Sequence, residues 1–188
     1  MRRMSKVSAS IPGFSAPAVG FEQPFEMLEA CHDRVRRSLA LLRRIVDHVD
    51  AHGHDAASRS AVADVLRYFD LAGPHHHEDE ERHVFPPLQA HADARLREAV
   101  ARLRADHVRM NALWARLRQA LLAWQGDAPP PIGAGERALV DAFVAAYESH
   151  MALEESVAYP AARPLFGDGE LQRIGDEMAS RRRQDTRR

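Results

Sequence analysis

The chain is poor in several things, and each absence narrows the reading. It has one cysteine, Cys31, in 188 residues, so no intramolecular disulfide can form. A single thiol suits a reducing compartment, and the expected address is the cytoplasm. No apolar run approaches the ~20 residues that span a bilayer. Met1-Arg2-Arg3-Met4 leads into Ser, Pro and Gly instead of the apolar core of a signal peptide, so no membrane association is expected. Surplus charge is missing too. A formal net charge of −1 creates no overall field that would gather nucleic acid or anionic lipid. The Arg181-Arg182-Arg183 and Arg187-Arg188 clusters have no interleaved aromatic residue, and we expect them to form a solvated, frayed tail. Strand-like alternation occurs nowhere. What the chain does have is histidine, 11 in all, and apolar residues spaced by three and four.

Residues 1–23, with Pro12, Gly13, Pro17 and Gly20, show no period and read as an extended arm. Pro24 is placed to open a helix. From there Phe25, Leu28, His32, Val35, Leu39, Leu42, Val46 and Val49 form the seam of an amphipathic helix ending near His52-Gly53. A second helix starts near Ser58 with Val62, Val65, Leu66 and Phe69 inward. Gly73-Pro74 predicts a kink or one-turn break, and Pro86-Pro87 a stop. A third, about 92–125, carries Val100, Leu103, His107, Met110, Trp114, Leu117, Leu121 and Trp124. Shifted by 75, the first seam falls on this one position for position, the histidines included. Gly126–Gly135, with three consecutive prolines, is an exposed connection. The fourth helix, from about Glu136 to a stop at Pro160, faces inward with Phe143, Ala146, Tyr147, His150, Leu153, Glu154 and Val157. A short fifth helix is expected over 168–180. The fold class is therefore all-α: two helical hairpins stacked as an up-down-up-down four-helix bundle over 24–165, with residues 166–188 as a short helix and Arg-rich tail.

One motif occurs twice. His76-x3-Glu80-Glu81-x3-Phe85-Pro86 returns 74 residues later as His150-x3-Glu154-Glu155-x3-Tyr159-Pro160. His and Glu four apart share a helix face. His32 and His76 are 44 residues apart, His107 and His150 43, so a path out along one helix and back along the next brings each set to one height. Stacked hairpins then converge four imidazoles and two carboxylates on one core layer. Six such groups are costly to bury unless they are paired or bind cations. Imidazole and carboxylate without thiolate suit iron first and manganese second, and argue against structural zinc. Two carboxylates from opposite hairpins can bridge two ions, each capped by two imidazoles. Glu81 and Glu155 point off the seam, either to orient ligand histidines or into solvent. Cys31, Tyr147, Met110, Trp114 and Trp124 read as core.

With these residues the chain resembles the hemerythrin-like, HHE cation-binding family over roughly 25–165. The resemblance implies a non-haem di-iron centre held by His32, His76, His107 and His150 and bridged by Glu80 and Glu154. Oxygen-carrying hemerythrins have His-x3-His on the third helix, where this chain has His107 followed by Asn111. Their fourth helix has His-x4-Asp, where this chain has His150-x3-Glu154. A fifth histidine is therefore unassigned. His77 and His75 lie ~100° to either side of His76 and read as surface residues; His83 shares the face of His76 and Glu80. The expected function is binding or sensing of dioxygen, nitric oxide or iron, rather than catalysis, and a sensor would act through a protein partner. The ligand set also resembles bacterial iron-centre repair proteins. That gives an alternative, a di-iron enzyme of nitrosative or oxidative stress that repairs iron centres or turns over nitric oxide or peroxide.

Overall fold

The computed structural model describes residues 19–185, which are mostly helical with no strand among them. Most of the expected N-terminal arm, and the Arg187-Arg188 cluster, lie outside these residues. Five helices follow one another: α1 (Pro24–His52), α2 (56–89), α3 (Ala94–Trp124), α4 (134–165) and α5 (Asp168–Asp185). Pro24 opens α1, and Gly53 closes it at φ +77°, the left-handed region that favours glycine. Asp55 caps α2 by accepting from the Ser58 backbone N–H, while the Ser58 hydroxyl accepts from the Asp55 N–H. The third and fourth helices begin at Ala94 and Ala134, each within two residues of expectation.

The expected stops at Pro86-Pro87 in α2 and Pro160 in α4 are absent, and the local disturbance expected at Gly73-Pro74 takes the form of a wider turn. In each case the turn before the proline widens to π geometry, at Tyr68–Ala72, Glu80–Val84 and Glu154–Ala158. The residue preceding the proline then donates five positions back, Gly73 to Tyr68, Phe85 to Glu80 and Tyr159 to Glu154. The proline's missing N–H and the clash of its ring with the carbonyl four back are both accommodated by the wider turn. Phe85 and Tyr159 stay in the right-handed helical region. The chain then runs on as helix to Gln89 in α2 and, through a final 3₁₀ turn, to Leu165 in α4.

Helix α1 packs chiefly on α2 and α3 on α4, with further contacts of α1 to α4 and α2 to α3. The core divides in two. One apolar cluster runs from Val35 to Val49 on α1, with Phe69, Met110, Phe143 and Tyr147 among its members. The other holds Phe25, Leu28, Val84, Phe85, Leu103, Ala158 and Tyr159. The seam histidines lie between them, after Leu28 and before Val35 on α1, after Leu103 and before Met110 on α3.

Helix α5 is longer than expected, and its arginines are not a frayed tail. Arg181 and Arg182 both pair with Asp79, a carboxylate with no exposed surface, Arg182 at 2.6 Å. Met178 is buried as a member of the second apolar cluster, and Arg182 stacks over Phe21 at 5.0 Å. A Cβ at Gly175 would stand 1.8 Å from the Phe21 carbonyl oxygen, so only glycine allows that segment to lie against α5.

Candidate metal centre

The widened turns set the face that each motif presents. An extra residue in the turn rotates everything after the glutamate by about one helical step, ~100°. Val84 and Ala158 consequently face the core. The positions a regular helix would bury, His83 and Val157, are only half-buried. His83 bonds Glu177 of α5 at 2.8 Å and lies off the polar layer, and His75 is half-buried and belongs to none of the ligand groups. His77, expected at the surface, is buried. The signal for that was Met151, an apolar residue at the equivalent place in the second motif.

The other six side chains lie together and buried, and each carboxylate spans both hairpins. Glu80 Oε1 is 3.3 Å from His76 Nε2, and its Oε2 is 3.4 Å from His107 Nε2. Glu154 Oε1 is 3.0 Å from His150 Nε2, and its Oε2 is 3.2 Å from His32 Nε2. The imidazoles fall into two pairs. The rings of His32 and His76 are 4.9 Å apart, and those of His107 and His150 4.7 Å, the latter with Nε2 atoms 3.1 Å apart. His77 joins the second pair, stacked on His107 at 4.1 Å with its Nε2 unpartnered. Tyr159 joins the first, its hydroxyl 3.3 Å from His32 Nε2 and donating to Glu80 Oε1.

These donors fit cations. Despite the short N···O separations, both Glu154 oxygens and Glu80 Oε2 lack a hydrogen-bond partner. Nitrogens and oxygens that crowd together without aligning on one another are aimed at shared centres. Three sets have every ligand atom within 4.8 Å of the others: His32, His76, Glu80 and Glu154; Glu80, His107, His150 and Glu154; and His77, His107 and His150. Glu80 and Glu154 are common to the first two.

Around the layer, carboxylates of the opposite hairpin orient the seam histidines. Glu155 accepts from His32 Nδ1 at 2.8 Å, and Glu81 faces His107 Nδ1 at 3.1 Å. Arg36 holds Glu155 through two contacts of 2.6 and 2.8 Å; Arg104 holds Glu81 at 3.2 Å. Partial burial raises the Glu155 pKa, but the bonds from Arg36 and His32 outweigh it and the net shift is downward. With Nδ1 bonded to Glu155, Nε2 is the nitrogen that faces the polar layer; burial lowers the His32 pKa, but Glu154, Glu80 and Glu155 outweigh it and the net shift is upward. Asp106 lies 3.8 Å from His150 Nδ1. Its counterpart one repeat earlier is Cys31, whose thiol contacts Met27 Sδ at 3.6 Å and whose pKa burial pushes up to about 11. Tyr147 stacks among His77, Phe69 and Phe143.

The charges are those of a site short of positive charge. Burial and then the Glu80 charge push the Glu154 pKa well above the usual carboxylate range. Burial acts the same way on Glu80, yet His76 and His107 hold its pKa well down. The two neighbouring carboxylates are thus pushed in opposite directions, as for two acids sharing a buried space. Burial lowers the His76 pKa to about 3 and the His77 pKa well below its ordinary value, leaving both neutral and able to ligate near pH 7. Burial, then the charges of Glu154 and Glu80, keep the Tyr159 phenol protonated in the protein alone.

Comparison with known proteins agrees with this geometry. The family model described as Hemerythrin HHE cation binding domain matches residues 23–162. A curated Haemophilus influenzae (strain ATCC 51907 / DSM 11121 / KW20 / Rd) protein, described only as "Uncharacterized protein", is 30% identical over 162 residues, covering 86% of this chain and 91% of the relative. No helix among the described residues is long and apolar enough to cross a membrane. The chain belongs to the hemerythrin HHE cation-binding domain family.

Proposed function

We propose that the chain binds two iron ions in its buried polar layer and uses them to bind or sense a small ligand such as dioxygen or nitric oxide. The observation that carries this reading is the span of the two carboxylates. Each sets one oxygen beside an imidazole of either pair, as bridges between two ions would. In this reading His32 and His76 hold one ion, and His107 and His150 the other, with His77 as the fifth imidazole. Glu80 and Glu154 would be shared between the two ions, on an up-down-up-down four-helix scaffold. Imidazole and carboxylate donors without thiolate favour iron, with manganese the next fit. When bound, such ions supply a reversible redox couple and Lewis acidity. The chain's own contribution is to neutralise their charge with Glu80 and Glu154 and to exclude water with the apolar clusters on either side. Glu81 and Glu155 orient the seam histidines. A cytoplasmic location suits the lone thiol of Cys31.

Metal analysis of the purified protein, with optical spectra of its reduced and air-exposed forms, tests the reading. The expected content is two iron ions per chain, falling sharply in His76→Ala and in Glu154→Ala. Unchanged metal in either variant defeats the assignment. Addition of dioxygen or nitric oxide to the ferrous protein should change the spectrum stoichiometrically; sustained turnover would instead favour an enzyme.

A further inference from the structure

We propose that Tyr159 is itself a donor at the His32/His76 position, its phenolate oxygen binding the cation there. This rests on the two-ion reading above. The Tyr159 hydroxyl touches two atoms assigned to that position: His32 Nε2 at 3.3 Å, and Glu80 Oε1, the oxygen beside His76. His32 Nδ1 is occupied by Glu155, so the nitrogen facing Tyr159 is the one free to ligate. A cation held through these atoms meets the phenol oxygen as a neighbour. The phenol is also held in place, fully buried, stacked on His32 at 5.5 Å and edge-on to Phe25 at 6.1 Å.

The repeat sharpens the assignment. Phe85 occupies the equivalent place in the first motif and stacks on His107 at 5.5 Å, so a ring there serves packing without any oxygen. At that second position the additional donor is His77 instead, whose own counterpart is Met151, buried and apolar. Each half therefore adds one donor beyond the shared set, at different points of the motif: imidazole nitrogen on one side, phenol oxygen on the other. A hard anionic oxygen selects ferric iron over softer divalent ions. Coordination exchanges the O–H bond for an O–Fe bond and releases the proton to buffer, with no change in oxidation state.

The test is resonance Raman and visible absorption of the air-exposed, iron-loaded full chain, with iron content measured on the same sample. The expected result is phenolate vibrations and a phenolate-to-ferric absorption band. Measured per bound iron, both should be lost in Tyr159→Phe and retained in Tyr147→Phe. Phe85 already fills the matching site, so Tyr159→Phe is expected to fold, which circular dichroism checks. Iron-loaded wild-type protein without these signals overturns the inference and leaves the two-ion reading intact, as does their persistence in Tyr159→Phe. A chain that takes up no iron overturns the two-ion reading and the inference with it.

Discussion

The helical hairpin α1–α2 and the hairpin α3–α4 are two renderings of one pattern, and their differences teach more than their likeness. Both place a seam histidine between apolar clusters, a His-x3-Glu pair across from it, and a widened turn starting at the glutamate. Where they diverge, the divergence falls around the polar layer. Cys31 answers to Asp106, His77 to Met151, Phe85 to Tyr159, and Asp79 to Leu153. The shared residues build the buried histidine and glutamate layer, and the unshared ones make its two halves chemically unequal.

The largest effect is expected at Asp79. Its two guanidinium partners come from α5, while Leu153 in the other half needs none. Arg181→Met combined with Arg182→Met strands a buried carboxylate and should destabilise the fold by about 3–5 kcal/mol in urea unfolding. Adding Asp79→Leu, which makes the halves alike, should recover most of that loss. A triple variant no more stable than the double would break the comparison at this point.

Acid should act through His76 in the metal-free protein. Its pKa is about 3 when folded against an ordinary 6.5. Below pH 6.5 the unfolded chain takes up a proton that the folded chain refuses. Stability present above that pH is therefore lost on acidification, by about 3 kcal/mol at pH 4. The difference in urea-unfolding free energy between wild type and His76→Gln across that range isolates this contribution, and a flat difference would remove it.

A smaller effect is expected from the crossed carboxylates. Glu81→Ala and Glu155→Ala each release a seam histidine of the opposite hairpin, and each should weaken metal binding by about 10–100-fold in chelator competition. Equal losses would make the two outer positions alike; a loss confined to one would show that Arg36 and Arg104 do not hold them equally. The smallest effect concerns Cys31. With its pKa raised to about 11 by burial, the thiol stays protonated at pH 8. It should alkylate more slowly than free cysteine until the protein is denatured.

Much of this was legible in the sequence, because the 75-residue recurrence of the seam and the 74-residue recurrence of the motif are simple periodicities. Those spacings bring His32, His76, Glu80, His107, His150 and Glu154 to one layer. What was not legible depended on a departure from helical period or on long-range contact. Proline rules describe what a regular α-turn loses at Pro74, Pro86 and Pro160; they do not say that one wider turn restores the helix. Missing those turns kept His83 on the inner face. A local reading also placed His77 at the surface, although Met151 marked its position as one that faces inward. The pairing of Asp79 with Arg181 and Arg182 joins residues about a hundred positions apart, and nothing in the local pattern of either announces it. Phe85 and Tyr159 were aligned by the repeat; their difference gained meaning only when the phenol oxygen was found against His32.

The widened turns at Glu80–Val84 and Glu154–Ala158 also bear on how quickly the layer can be filled. Each is followed by a proline, whose missing N–H and ring clash disfavour an ordinary α-turn there. The glutamates are therefore held in place by the chain itself, and on the proposed reading an incoming ion would meet donors already set. Uptake should then be limited by entry and proton release instead of by helix rearrangement, with little change in far-ultraviolet circular dichroism between the metal-free and loaded protein.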